Sequence, residues 1–163
     1  MGLAGVSTIL WRERRLLELL AFKLDAQQLL IGSGRDRWLH HATDELEDLL
    51  EELRHTELLR AVEVDAVAAR SGLHANPSLS ELADVSPAPF DELLREHRDA
   101  LRELAAEVRD RSRQNHDALA RGQAAVQDLL VAATAAAAGP APRAGRRPGD
   151  VAASRGIVLD EAL

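Results

Sequence analysis

Apolar residues recur every three or four positions through three long stretches of the chain, and this spacing predicts three long helices. The first stretch covers about residues 7–31, the second about 36–71, and the third about 89–138. Each stretch has a broad apolar face, as helices do when they pack around a shared core. The pattern favours an all-α fold, an antiparallel bundle whose third helix is the longest and has coiled-coil-like spacing.

The breaks between these stretches carry their own signals. Gly32 and Gly34 are expected to end the first helix, because glycine readily adopts the left-handed conformation of a helix end. Ser33 or Asp36 is the expected N-cap of the second helix, and Gly72 is expected to close it.

Residues 72–89 contain glycine, asparagine and prolines, which interrupt the helical pattern. Inside this break, Ser78 and Glu81 have the spacing of a capping box, in which each side chain bonds the free backbone N–H of the other residue. This spacing predicts a short helix of about two turns between the second and third long helices.

Composition is consistent with one helical domain. The 163-residue chain is 46% hydrophobic but only 2% aromatic, and leucine and alanine fill helix interfaces readily. Such a length suffices for one core, so we expect a single helical domain over residues 5–138. The stretch from residue 139 begins with proline, glycine and arginine, which predicts a disordered tail over residues 139–163.

Charge and cysteine content narrow the function. The formal net charge of −7 opposes binding to nucleic-acid phosphates. The chain has no cysteine, which excludes a disulfide framework and a thiolate nucleophile. Because the N-terminus lacks the layout of a signal peptide and charged residues interrupt its apolar runs, we expect a cytoplasmic protein that does not insert into a membrane.

Two of the helices have more apolar surface than one core requires. Opposite its main apolar face, the first helix carries Trp11, Phe22 and Leu29. That helix either lies between two neighbours or exposes its second face to a partner. In the second helix an additional apolar face begins at Leu58 and Leu59, which either meets another helix or offers a groove.

The main apolar row of the third helix is interrupted by polar residues. His97 lies in this row between two leucines and is expected to be hydrogen-bonded in the core or at its edge. The row turns polar again at Arg111 and Asn115. A buried asparagine fixes the register of packed helices at some cost in stability, and this is the role predicted for Asn115.

Metal binding is the strongest enzymatic alternative. Glu52 and His55 match the E-x-x-H spacing of di-iron bundles, which need a second such pair and further glutamates that the chain does not offer. His40, His41 and Glu45 also have metal-ligand spacing, but adjacent histidines on a helix point about 100° apart. No phosphate loop or nucleophile motif occurs, so we predict no catalytic, cofactor-binding or metal-binding residues.

Three features follow one another along the chain. They are the glycine connector at residues 32–36, the turn at residues 77–82, and Asn115 followed by Leu119. In this order they resemble the FlgN family of flagellar type III export chaperones, over about residues 8–134. The resemblance implies a cytoplasmic helical chaperone without enzymatic activity or cofactor. Its implied partners are the hook–filament junction proteins FlgK and FlgL, and also the flagellar export gate.

The mechanism implied by the resemblance is helix capture, in which the chaperone covers the amphipathic terminal helix of its client. We expect the client on the distal face of the third helix, with a second wall from the second helix. The expected client-binding residues are Leu119, Val126, Leu129, Leu130, Leu58, Leu59 and Val62. The main alternative is a self-associating coiled-coil scaffold without a secretion client, so monomer and homodimer both remain open.

Overall fold

The computed structural model describes residues 2–137, which form four helices. These are α1 (Leu3–Ser33), α2 (Asp36–Arg70), α3 (Leu79–Asp84) and α4 (Phe90–Ala137). No strand occurs within the described residues. The all-α fold, with a short helix between the second and third long ones, is confirmed. The predicted tail, residues 139–163, lies outside the described residues.

Helices α1 and α2 form an antiparallel hairpin. Glu13 pairs with Arg60 near one end of the hairpin, and Gln27 bonds Thr43 near the other. Gly34 joins the two helices in the left-handed conformation, with a φ of 64°. Glycine adopts this conformation without a steric penalty, which explains why the connector can be so short.

Helix α4 runs parallel to α1. Ser7 bonds His97, and further along both helices Asn115 donates to the carbonyl of Leu24. Because α2 is antiparallel to α1, the three long helices run up, down and up, as predicted for this bundle.

The structure corrects two details of the helix ends. Helix α1 begins at Leu3, before the predicted start at residue 7, because Val6 is fully buried and extends its core face. The N-cap of α2 is Arg35, which makes no side-chain capping bond. The prediction of Ser33 or Asp36 as the cap was therefore wrong, since Ser33 ends α1 and Asp36 is already helical.

The capping box before α3 is confirmed. The Glu81 backbone N–H donates to Ser78 Oγ at 3.2 Å, and the Ser78 backbone N–H donates to Glu81 Oε2 at 2.8 Å. These bonds to Ser78, with one to His74, lower the pKa of Glu81 from 4.5 to about 2. The cap fixes a one-and-a-half-turn helix, and two of its residues, Leu82 and Ala83, are buried in the core.

The apolar core has two clusters. The first joins all four helices, and its buried members are Val6, Leu10, Val64, Val67, Leu82, Ala83 and Leu94. The second joins α1, α2 and α4, and consists of Leu20, Leu24 and Leu46 with Leu49, Leu53 and Val108 packed against it. Full burial of one such side chain contributes about 1.5–3 kcal/mol, so these clusters hold the bundle together.

The chain divides into two compact units, one up to Ala125 and one from Val126 onward. The hairpin, α3 and both core clusters belong to the first unit. In the second unit the chain remains helical as far as Ala137. The predicted domain boundary after residue 138 falls at the edge of the described residues and stays a prediction.

Candidate functional site

The part of α4 that follows residue 120 carries exposed aliphatic side chains. Every residue from 121 to 134 is exposed. Val126, Leu129 and Leu130 are 57%, 70% and 61% exposed, and they lie within about 100° of each other around the helix axis. We call these three residues the α4 face. A helix with an uncovered apolar face is a typical contact surface for another helix.

Leu119, the first of the predicted client-binding residues on α4, has a different environment. It is half-buried and lines a cleft of about 250 Å³ together with Leu46, Val108 and Asn115. This cleft lies in the bundle of the first unit. Leu119 therefore lies at the end of the packed part of α4, whereas Leu129 and Leu130 are mostly exposed.

The second predicted wall is also uncovered. Leu58 and Val62 are 67% and 69% exposed, and Leu59 is 41% exposed. We call these residues the α2 face. The sequence left open whether another helix covers this face, and the structure leaves the three side chains exposed.

The second apolar face of α1 is exposed as well. Trp11, Phe22 and Leu29 are 47%, 62% and 75% exposed. Of the two alternatives that the sequence offered, a helix covered on both sides and a helix with one open face, the second is found. Sequence reasoning noted this face but did not include it among the predicted binding residues.

A chain of hydrogen bonds through two side-chain amides and a threonine hydroxyl crosses the bundle at Asn115, which is only 2% exposed. Its Nδ2 donates to the carbonyl of Leu24 at 2.8 Å and to Gln27 Oε1 at 3.0 Å. Gln27 Nε2 in turn donates to Thr43 Oγ1 at 3.1 Å. The chain joins α4, α1 and α2, so the predicted burial of Asn115 in a helix interface is confirmed.

Arg111 forms a second polar link between α4 and α1. Its guanidinium donates to the carbonyl of Ala21 at 3.0 Å and pairs with Asp25. Glu107, one turn earlier on α4, holds the same guanidinium at 2.6 Å. The polar interruption predicted at Arg111 is therefore used to hold α1.

His97 lies fully buried between α4 and α1. Its Nδ1 lies 3.5 Å from Arg14 Nη1, and its Nε2 lies 3.3 Å from Ser7 Oγ. The ring of Trp11 meets it edge-on at a centroid distance of 4.9 Å. Burial lowers the pKa of His97 below its usual 6.5 and Arg14 lowers it further, whereas Glu96 raises it. The predicted hydrogen-bonded core histidine is confirmed.

Glu13 is a buried carboxylate whose Oε2 lies 2.9 Å from Arg60 Nε on α2. Burial raises the pKa of Glu13 above its usual 4.5, Arg60 lowers it, and the nearby Glu57 raises it. Each of these polar groups links α1 to another long helix. These contacts fix how the long helices are aligned with one another. The candidate binding surfaces are the exposed apolar faces.

A family model described as FlgN protein matches residues 1–142, most of the 163-residue chain. This chain belongs to the FlgN family. FlgN is a family of flagellar export chaperones, so the predicted part in flagellar biogenesis is confirmed at the level of the family. No curated protein and no solved structure matches the chain.

FlgN is a chaperone family and not an enzyme family. In this FlgN protein the E-x-x-H residues Glu52 and His55 are both exposed, and Glu52 pairs with Arg12 at 2.9 Å. His40 and His41 are exposed as well. Within residues 2–137, no group of three or more histidine and acidic side chains is arranged to hold a metal ion.

The length and hydropathy of the helices bear on membrane insertion. None of the described helices of this FlgN protein combines the length and the apolar character that crossing a bilayer requires.

Proposed function

We propose that this FlgN protein works in the cytoplasm and binds the amphipathic terminal helices of the hook–filament junction proteins FlgK and FlgL. By covering those helices it prevents premature assembly of the client, and it then delivers the client to the type III export gate. Membership of the FlgN family supports the proposal. The observation that carries it is the exposed row of aliphatic side chains on the α4 face.

The α4 face suits an amphipathic helix because Val126, Leu129 and Leu130 are exposed and lie within about 100° of each other around the helix axis. Full burial of a leucine or valine side chain contributes about 1.5–3 kcal/mol, so covering the exposed fractions of Val126, Leu129 and Leu130 contributes roughly 3–5 kcal/mol. A micromolar complex requires a binding free energy of about 8 kcal/mol, after the costs of association. The client therefore needs further contacts beyond these three residues.

Leu119 and the α2 face are the other proposed contacts. Leu119 is half-buried on the packed part of α4 and is proposed as a contact of its own. Leu58, Leu59 and Val62 form the α2 face. We treat it as a second, separate client-binding surface, because these exposed residues lie on a different helix from the α4 face.

The experiment is a calorimetric titration of the full chain with a C-terminal helical segment of a junction protein. We expect saturable binding with a negative change in heat capacity, because apolar surface is buried. Leu129→Asp should weaken binding at least about tenfold, which corresponds to about 1.4 kcal/mol. Val131→Asp is the matched control, since it adds the same charge in place of another exposed aliphatic side chain, about 160° away from Leu129 around α4.

Two outcomes separate the candidate surfaces. If Leu58→Asp weakens binding and Leu129→Asp does not, the client binds the α2 face and the assignment to the α4 face is wrong. If the wild-type chain binds neither junction protein, the proposed clients are wrong. The alternative of a scaffold without a client would then become the better interpretation.

A further inference from the structure

The cleft beside Asn115 lies between α1, α2 and α4. It encloses about 250 Å³, which is smaller than most small-molecule pockets and suits a single side chain. Its apolar wall includes Leu50, which is 37% exposed, and the half-buried Leu119. We propose that this cleft, the Asn115 cleft, anchors the client helix through one lysine or arginine side chain. The proposal rests on the proposed function, because the basic side chain belongs to the client.

The wall of the cleft contains a buried oxygen that lacks a hydrogen-bond donor. Asn115 is 2% exposed, and its Oδ1 accepts no hydrogen bond within residues 2–137. Its Nδ2 donates to the Leu24 carbonyl and to Gln27 Oε1, both on α1. Because a carbonyl can only accept, Asn115 must direct its nitrogen, and not its oxygen, at Leu24. A buried polar atom without a partner costs free energy, so this oxygen favours a ligand that donates a hydrogen bond.

The hydrogen bonds behind Asn115 all run away from this oxygen. Gln27 Nε2 donates to Thr43 Oγ1 at 3.1 Å, and Thr43 Oγ1 donates to the Leu39 carbonyl at 2.9 Å. The chain of hydrogen bonds therefore begins at Asn115 Nδ2 and contains no donor directed at Asn115 Oδ1. The missing donor is one that a bound side chain can supply.

The α2 wall of the cleft is acidic. Residues 44–52 contain six acidic residues and no basic one. Of these, Glu47 lines the cleft, is exposed and makes no ion pair within the described residues. The α4 side chains Ser112 and His116 also line the cleft and can accept as well as donate hydrogen bonds. A free carboxylate close to an unsatisfied amide oxygen favours a cation and repels an acidic side chain.

A lysine or arginine side chain matches both the apolar and the polar part of the cleft. Its stem is apolar and can pack along Leu50 and Leu119, while its head group carries several N–H donors and no acceptor. Charge-assisted hydrogen bonds to Glu47 offset the cost of removing the cation from water. A glutamine would bring an acceptor oxygen of its own, and the single N–H of tryptophan would leave Glu47 unpaired.

The first test is a calorimetric titration of the full chain with the C-terminal helical segment of a junction protein, at low and at high ionic strength. Glu47→Gln removes the charge and keeps the size of the side chain. We expect it to weaken binding about three- to tenfold at low ionic strength, and less at high ionic strength, where salt screens the ion pair. Asp48→Asn is the matched control, since this exposed side chain points about 100° away around α2 and does not line the cleft.

A double-mutant cycle then identifies the anchor side chain of the client. Each lysine and arginine of the segment is replaced in turn by glutamine, and each variant is titrated with the wild-type and the Glu47→Gln chain. Replacement of the anchor should weaken binding to the wild type and have little further effect on binding to Glu47→Gln. Both changes remove the same ion pair, so their effects are not additive.

A third test asks whether the cleft must be open. Ser112 is exposed and makes no hydrogen bond within residues 2–137, so Ser112→Phe fills the cleft and leaves the hydrogen bonds of Asn115 in place. It should weaken binding at least about tenfold, as expected for the loss of a central anchor. Gln114→Phe adds the same ring at an exposed position about 160° away around α4 and should have little effect. Circular dichroism verifies that both variants remain helical.

Three outcomes would overturn the proposal. The first is binding that responds equally to Glu47→Gln and Asp48→Asn. The second is a client segment that binds as tightly after all its lysines and arginines are replaced by glutamine, because Asn115 Oδ1 would then meet only water or an uncharged donor. The third is unchanged binding by Ser112→Phe. In all three the wild type still binds its client, so the proposed function stands, whereas a wild type that binds no junction-protein helix would overturn both proposals.

Discussion

Replacement of Asn115 tests whether the buried amide chain stabilises the bundle. Asn115→Ala removes both hydrogen bonds that Nδ2 donates, one to the Leu24 carbonyl and one to Gln27 Oε1. It leaves Gln27 Oε1 without that donor, although Gln27 still bonds Thr43 through its Nε2. Asn115 Oδ1 is itself buried and accepts no hydrogen bond within residues 2–137, so its removal relieves one desolvation cost.

The expected magnitude follows from these opposing effects. Each lost hydrogen bond costs about 1 kcal/mol, and removing the unsatisfied oxygen returns a similar amount. The truncated side chain also leaves a small cavity in the packed interface. We therefore expect Asn115→Ala to lower the free energy of unfolding by about 1–2 kcal/mol. For a helical unit of this length, that corresponds to a fall in Tm of roughly 4–7 °C.

The assay is reversible urea unfolding followed by far-UV circular dichroism, for the wild type and a double-mutant cycle. The cycle combines Asn115→Ala with Gln27→Leu, which removes the acceptor on α1. Because the two side chains share one hydrogen bond, we expect a coupling free energy of at least about 0.5 kcal/mol. Single changes that each cost under about 0.5 kcal/mol, together with additive effects, would show that the amide chain does not hold α4 against α1.

Two further predictions concern pH and the cap of α3. Because burial lowers the pKa of His97, the unfolded chain takes up its proton first, so this histidine lowers stability as pH falls from 6.5 toward its folded pKa. The pKa of His74 is raised, so His74 favours the folded state as pH falls and opposes the effect of His97. The measurement is urea unfolding at several pH values, in which His97→Gln should reduce the loss of unfolding free energy as pH falls. Ser78→Ala removes the cap of α3 and should cost about 1 kcal/mol, whereas Ser71→Ala should cost little, since that exposed hydroxyl makes no hydrogen bond within the described residues. The contribution of Glu81 to this cap should persist above pH 4.5 and disappear as pH falls toward about 2, and a steady Ser78→Ala effect across that range would contradict the assignment.

Much of the fold follows from spacing in the sequence. The steps of three and four residues predict the three long helices, and the serine and glutamate of the capping box predict α3. Asn115 could be placed in an interface because it occupies a position in the apolar row of α4, and that row faces the core. Its partners could not be predicted, because a periodic row shows which side of a helix is covered and not which residues cover it.

The helix ends and the outer face of α1 were harder to predict. The start of α1 was placed too late because Leu3 and Val6 precede the first clear apolar repeat, yet both pack into the core. The outer face of α1, with Trp11, Phe22 and Leu29, could be recognised from the sequence, but whether another helix covers it could not. Its exposure becomes evident only once the opposite side of α1 is known to be filled.

The buried polar contacts explain why that exposure is a fixed property of the bundle. Rows of leucines at steps of three and four allow several similar alignments of two helices, since a slide by one heptad replaces leucine by leucine. Here His97, Arg111 and Asn115 all bond α1 at a nearly constant separation along the chain, between 83 and 91 residues. A slide of α4 by one heptad would break every one of these contacts at once, and the buried His97 and Asn115 would lose their partners. The polar contacts therefore select one alignment, which holds Ser7 and Leu24 toward α4 and leaves Phe22 and Leu29 of α1 exposed.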